Sequence, residues 1–264
     1  MTSVNRLIIW FLSVLVIALL FNSCISKYED LASTVKAIVH RGYHLVHLEN
    51  TIESFSAAQK KGFQHIEIDI SFTKDFQPVI LHDNLLDKQS DTSGSINDFN
   101  FSELNNITLN GGYKIPSLVD FFQRFGDSFE TVFIDLKEPC PDSGLISIAK
   151  ILENHNTSVE AITTCTNLKV IRRLKELNPN LSLGADNSQV DFEENIDECI
   201  KQGYKHVLVS FTQLDKNLCF IANSNGIKVY AYTPNTQTDI LKTLKFGVDG
   251  IMSDNPDLLQ QMLN

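Results

Sequence analysis

The sequence predicts an α/β protein: a (β/α)8 TIM barrel with a small inserted subdomain at its mouth. Three observations lead there. From residue 36 onward short apolar runs alternate with amphipathic segments, the pattern of βαβ units around a parallel sheet. Nine runs have strand character, over residues 37–40, 65–72, 79–82, 131–137, 159–163, 181–185, 206–210, 228–233 and 250–253. Only residues 71–78 join the second run to the third, whereas a parallel crossover needs a dozen residues or more. The third run must therefore return antiparallel, as a hairpin on the top of the second, which leaves eight runs to close a barrel.

Helical patterns fill most of the gaps. The first spans residues 52–61 behind a Thr51 cap, and the second residues 117–125 behind Pro116. Others cover 143–154, 167–177, 192–202, 215–224, 237–245 and 256–263. Gly62, Gly203 and Gly226 stand at helix ends, where glycine is the expected stop signal. Residues 84–115 break the rhythm, being polar and rich in Ser, Asn, Asp and Gly. A stretch of that length without a strong element inside a compact domain marks a functional loop or insertion, expected as a cap at the catalytic mouth. The barrel with its insertion thus occupies residues 36–264.

The first residues belong to a different kind of segment. Arg6 precedes an apolar run over 7–21 that is short for a membrane span and suits a secretory leader. Leu20-Phe21-Asn22-Ser23-Cys24 resembles a bacterial lipoprotein box, so residues 1–23 are expected to be a signal peptide and Cys24 to carry lipid. The expectation is an exported lipoprotein held at the membrane by this anchor. Ile25 after the cysteine favours the outer membrane, facing the periplasm or the cell surface.

Composition bounds the partners. The 264 residues include 32 acidic against 22 basic side chains, a net charge of -10. Long-range attraction to nucleic acid is not expected, and an anionic small molecule would need local Arg, Lys or metal. No protein partner is expected either. Cys140, Cys165, Cys199 and Cys219 show no C-x-x-C spacing, which leaves a zinc ribbon unsupported and buried free thiols as the reading.

The chemistry concentrates between residues 38 and 83. His40 and Arg41 follow the first strand, and His82 ends the third run. Glu67 and Asp69 share one face of the second strand, while Ile66, Ile68 and Ile70 form the other. Carboxylates directed inward and isoleucines outward suit a barrel whose interior holds a cation. Two imidazoles and an arginine at the same end can move protons and hold an anion.

These residues, taken in order, resemble the glycerophosphodiester phosphodiesterase family. The likeness runs through His40-Arg41-Gly42, Glu49-Asn50-Thr51, Glu67-Ile68-Asp69, Thr73-Lys74-Asp75, Pro78-Val79 and His82-Asp83. It continues through Asp135-Leu136-Lys137, Tyr230-Ala231-Tyr232-Thr233-Pro234-Asn235 and the tail at 247–254. The resemblance implies a divalent cation, Ca²⁺ or Mg²⁺, on Glu67, Asp69 and Asp135. It implies His40 and His82 as the catalytic acid–base pair, and Arg41 and Lys137 as phosphate contacts. Tyr232 would line the pocket of the leaving alcohol, and Glu49 is left as an orienting residue. The implied reaction is metal-dependent hydrolysis of a glycerophosphodiester to an alcohol and glycerol 3-phosphate. Two alternatives stand beside it: a same-fold phosphodiesterase acting on lysophospholipids or glycerophosphate polymers, and a non-catalytic anchored binding protein.

Overall fold

A computed structural model describes residues 34–154, 158–187 and 191–264. The leader expected over residues 1–23 and the lipidation site Cys24 lie outside the described residues.

Among the described residues nine strands follow in chain order: β1 (Lys36–Val39), β2 (His65–Phe72), β3 (Pro78–Ile80), β4 (Thr131–Leu136), β5 (Glu160–Cys165), β6 (Ser182–Asp186), β7 (His206–Ser210), β8 (Lys228–Tyr232) and β9 (Gly250–Ser253). All but β3 are parallel to their neighbours, and β1 pairs with both β2 and β9, which closes an eight-stranded barrel. β2 runs for eight residues. Its first two pair with β1, and its last three pair antiparallel with β3, giving the hairpin expected from the short link. The third run is shorter than expected. Leu81 N still donates to Asp69 O, but the chain bends at His82, so this histidine sits in the connection beyond the strand.

Eight helices are described: α1 (Ile52–Lys60), α2 (Leu118–Phe125), α3 (Asp142–Asn154), α4 (Leu168–Leu177), α5 (Phe192–Gln202), α6 (Lys216–Ser224), α7 (Gln237–Leu244) and α8 (Pro256–Leu263). Side-chain caps start most of them. Thr51 Oγ1 accepts from Ser54 N on α1, Ser117 from Asp120 N on α2, and Thr236 from Asp239 N on α7. Among the described residues no helix is long and apolar enough to cross a membrane, and no disulfide is formed.

The strand period of two sorts the side chains into two cores. Outward residues such as Ile66, Ile68 and Ile70 pack with the helices. Phe55 of α1 meets Phe121 and Phe125 of α2 edge to face at 5.2 and 6.0 Å. Truncating one of these rings to alanine costs about 3–5 kcal/mol. A separate cluster unites Ile38, Phe133, Ile162, Leu208, Tyr230 and Met252, each from a different strand. Phe133 of β4 and Tyr230 of β8 are not neighbours in the ring, yet their centroids lie 4.7 Å apart. Contact across the ring is possible only in its interior, so this cluster is a plug filling the barrel.

The stretch at 84–115 has its own small core. Val79, Leu81, Leu86, Ile96, Leu104, Ile107, Leu109 and Ile115 bury together around two 3-10 turns, Ile96–Asp98 and Phe101–Asn106. Leu48 packs on this core, His47 Nδ1 lies 3.2 Å from the Tyr113 hydroxyl, and Asn84 Nδ2 donates to Glu138 O at 2.7 Å. The insertion is thereby tied to the connections that follow β1 and β4.

Candidate active site

The sequence places chemistry at the carboxyl ends of the strands, and the fold gathers it. His40, Arg41, Glu67, Asp69, His82, Asp135, Lys137 and Tyr232 all line one cavity of about 250 Å³, together with Asp186, Leu208, Thr233 and Met252. Every site residue singled out in the described part of the chain is therefore at one place.

The turn after β1 sets the geometry. Arg41 and Gly42 both adopt positive φ, at 55° and 77°. A β-carbon on Gly42 would come within 2.3 Å of Ser54 Oγ, so the close approach of this turn to α1 requires glycine. The turn directs Arg41 N to Glu67 Oε2 at 2.9 Å. The Arg41 guanidinium pairs with Glu49 Oε1 at 3.0 Å and Asp69 Oδ2 at 3.1 Å. Asn50, also at positive φ, grips Asp69 twice: its Nδ2 donates to Asp69 Oδ2 at 2.7 Å and its Oδ1 accepts from Asp69 N at 3.2 Å.

Glu67, Asp69 and Asp135 are the buried anionic centre, with exposures of 2%, 1% and 8%. Asp69 and Asp135 are direct partners in the β2–β4 register, and the three residues offer oxygens within 4.8 Å of one another. Lys137 Nζ lies between the aspartates, 2.9 Å from Asp69 Oδ1 and in a close ion pair with Asp135. Burial pushes Glu67 well above the usual carboxylate range, and neighbouring Asp69 adds to this. Burial also acts on Asp69, but Lys137 and Arg41 outweigh it and hold this carboxyl well below the usual range. Asp135 is pushed up to about 6, by burial first, with Lys137 opposing and Asp186 and Asp69 adding to the rise. Burial would lower Lys137, yet Asp135 and Asp69 raise it, so it stays a cation.

This centre fits a hard divalent cation. A cation among them would relieve the repulsion between carboxylates that adds to the rise of Glu67 and Asp135, and Asp135 Oδ1 is buried without a hydrogen-bond partner among the described residues. All the donors are oxygens, the set that suits Ca²⁺ or Mg²⁺.

Both histidines have a carboxylate behind them. His40 Nδ1 lies 2.6 Å from Asp254 Oδ1, and His82 Nδ1 lies 2.7 Å from Asp83 Oδ1. Hydrogen bonds from His40 and His44 hold Asp254 well below the usual carboxylate range, so it is an acceptor and Nδ1 of His40 carries the proton. That leaves Nε2 of His40, 3.9 Å from Glu67 Oε2, as the atom that exchanges protons. Tyr232 presents its hydroxyl to Asp186 Oδ1 and Asn187 Oδ1, at 3.1 and 3.3 Å.

Asn50, Asp254, Asp186 and His44 were not singled out in the sequence as site residues. Asn50 and Asp254 lie inside motifs quoted above, but only their contacts reveal them as supports of Asp69 and His40.

A barrel mouth with two buttressed imidazoles and fixed cations beside an anionic metal-type centre defines a hydrolase of phosphoric diesters. The chain belongs to the glycerophosphoryl diester phosphodiesterase family, whose family model matches residues 40–258. A glycerophosphodiester phosphodiesterase of Caldanaerobacter subterraneus subsp. tengcongensis is 27% identical over 236 residues, covering 84% of this chain and 95% of the relative. Two solved structures share the fold. An Oleispira antarctica phosphodiesterase in complex with the product sn-glycerol-3-phosphate superposes with a TM-score of 0.77 at 23% identity, covering 85% of this chain and 95% of its own. A glycerophosphodiester phosphodiesterase from Parabacteroides distasonis gives 0.76 at 20% identity, covering 88% and 97%.

Proposed function

We propose that this chain is a metal-dependent glycerophosphodiester phosphodiesterase that releases an alcohol and glycerol 3-phosphate. The observation that carries this is one cavity lined by two carboxylate-backed histidines together with the Glu67, Asp69 and Asp135 centre. Those three carboxylates would hold Ca²⁺ or Mg²⁺, which when bound supplies a positive charge for the phosphoryl oxygens.

The remaining roles fall to side chains of this chain. Arg41 uses Nε and Nη1 toward Asp69 and Glu49, and its other N–H donors can reach a non-bridging phosphate oxygen. Lys137 adds a second fixed cation at the same place. Developing charge on the phosphate thus meets preoriented donors rather than water. One imidazole takes a proton from the attacking hydroxyl, the glycerol 2-hydroxyl or water, and the other gives one to the departing alkoxide. Asp254 and Asp83 keep Nδ1 of each ring engaged, so the exchange occurs at Nε2. Tyr232 and Thr233 form the wall for the leaving alcohol.

A lysophospholipid substrate is the second reading. Leu45, Val46 and Leu85, in the connections that leave the mouth, are 51%, 64% and 64% exposed, and such side chains can shelter an acyl chain. Export and anchoring through Cys24, to the outer membrane with the barrel facing the periplasm or the cell surface, rest on the leader pattern in residues 7–24.

The test is a substrate panel of glycerophosphocholine, glycerophosphoethanolamine, glycerophosphoglycerol and lysophosphatidylcholine, with and without chelator. Turnover of the first three should vanish with chelator and return with Ca²⁺ or Mg²⁺. Full turnover with metal verified absent would refute the metal-dependent reading. Preference for lysophosphatidylcholine would select the second reading.

A further inference from the structure

Three histidines stand between β1 and α1, and the chemistry above uses only His40. His44 is held in the same turn, its N donating to Gly42 O at 2.8 Å while Tyr43 N donates to Ser54 O at 2.9 Å. The result is a convergence on one atom: His40 Nδ1 lies 2.6 Å and His44 Nε2 lies 3.2 Å from Asp254 Oδ1. The three residues offer donor atoms within 4.8 Å of one another. Asn235 Nδ2 binds the other oxygen, Asp254 Oδ2, at 2.6 Å, and Asp254 N donates to Asn235 Oδ1 at 2.8 Å, so Oδ1 is fixed toward the two rings.

We propose that His40, His44 and Asp254 form a second divalent-cation site, separate from the carboxylate centre, that takes a borderline ion such as Zn²⁺ and inhibits the enzyme by capturing His40. The inhibitory part rests on the assignment of His40 as an acid–base group.

Donor chemistry distinguishes the two sites. Two imidazole nitrogens and one carboxylate oxygen suit Zn²⁺, with a fourth position left for water, whereas Glu67, Asp69 and Asp135 offer oxygen alone. Access also differs. The side chains of His40, His44 and Asp254 are 16%, 23% and 36% exposed, so an ion can enter without opening the barrel.

The protons balance without loss when both rings are neutral. The ion takes the lone pairs of His40 Nδ1 and His44 Nε2, and the hydrogens those atoms carried move to His40 Nε2 and His44 Nδ1. His40 Nε2 then holds a hydrogen and has no lone pair. It can no longer accept a proton from a nucleophile or be reprotonated from one tautomer to the other during a cycle. An ion at this site therefore disables His40 without touching the carboxylate centre.

The experiment uses the full chain in excess Mg²⁺, with Co²⁺ as a spectroscopic probe in the absence of substrate and Zn²⁺ as the inhibitor of glycerophosphocholine turnover. His44→Ala and His44→Asn are compared with wild type, with folding checked by circular dichroism. In wild type the visible absorption of four-coordinate Co²⁺ should appear, and Zn²⁺ should inhibit. Both variants should lose that absorption and need on the order of 10²-fold more Zn²⁺ for half inhibition, as expected for a lost ligand. Inhibition in each variant is read against its own turnover without Zn²⁺, because His44 also contacts Asp254 behind His40. Absorption and inhibition that persist in both folded variants overturn the site. Absorption that depends on His44 while Zn²⁺ leaves wild-type turnover unchanged overturns the capture of His40. A His44-dependent absorption in a protein with no phosphodiesterase turnover under any metal keeps the ion site and refutes the catalytic reading instead.

Discussion

Substituting His206 should flatten the acid side of the stability profile, and the size of the effect follows from its surroundings. His206 opens β7 and is 4% exposed. Its Nε2 lies 3.0 Å from Ser182 Oγ, its Nδ1 3.3 Å from the Tyr230 hydroxyl, and its ring stacks on Tyr230. Burial first, then Lys228 and Lys36, lower its pKa from 6.5 to about 4. The folded state thus binds this proton more weakly than the unfolded chain does. Stability from this group is fully present above about pH 6.5 and is lost as pH falls toward 4, where the loss reaches about 3 kcal/mol. Between pH 7 and pH 5 the loss is about 2 kcal/mol by the same linkage. Urea unfolding of wild type and His206→Gln at the two pH values measures it. The variant is destabilised at pH 7 by its lost contacts, yet it should lose about 2 kcal/mol less than wild type on acidification. Comparing the two proteins cancels other groups, including Asp135, which titrates near 6 with the opposite sign. Parallel pH profiles would show that His206 is protonated as easily in the folded barrel as in the unfolded chain, and would refute the reasoning.

Other consequences are as direct. Asn50→Ala removes both hydrogen bonds to Asp69 and should cost about 1–3 kcal/mol in stability, read by denaturant unfolding, with a fall in kcat that Asn50→Asp does not rescue. Glu67→Gln should weaken Ca²⁺ or Mg²⁺ binding in calorimetry more than Asp135→Asn, because Lys137 already claims an Asp135 oxygen; the opposite ranking would count against that division. Cys24→Ala should abolish lipidation and move the protein out of the membrane fraction, whereas mass spectrometry of an unmodified mature chain starting elsewhere would disprove the anchor. His40→Ala and His82→Ala should each lower kcat by about 10²-fold or more with little change in KM. A nitrophenyl ester should rescue only the one that protonates the leaving group, and rescue of neither would break the acid–base assignment.

The barrel was legible because its signals are local. Alternation of runs gave the parallel units, and the length of the 71–78 link forced β3 to return antiparallel, as it does. The ends of runs were less legible. His82 falls beyond β3 because the chain leaves the ladder for the insertion, an event that apolar pattern does not record. The site was legible where a motif puts chemistry on one short segment, as with Glu67 and Asp69. It was not legible where the partner arrives from elsewhere. Asp254 lies 214 residues from His40, and no periodicity links them. Ring closure does. The β1–β9 register sets Val39 opposite Ser253, so the next residue on each strand, His40 and Asp254, must emerge side by side at the mouth. Likewise the β2–β4 register sets Asp69 opposite Asp135, which builds the anionic centre from two neighbouring strands that lie far apart in sequence. In a closed parallel barrel, residues one step past paired positions become neighbours whatever their separation in sequence. The registers therefore carry the information that the linear pattern lacks. The turn after β1, in which His44 N donates to Gly42 O, then brings His44, five residues past the strand end, onto the same carboxylate as His40.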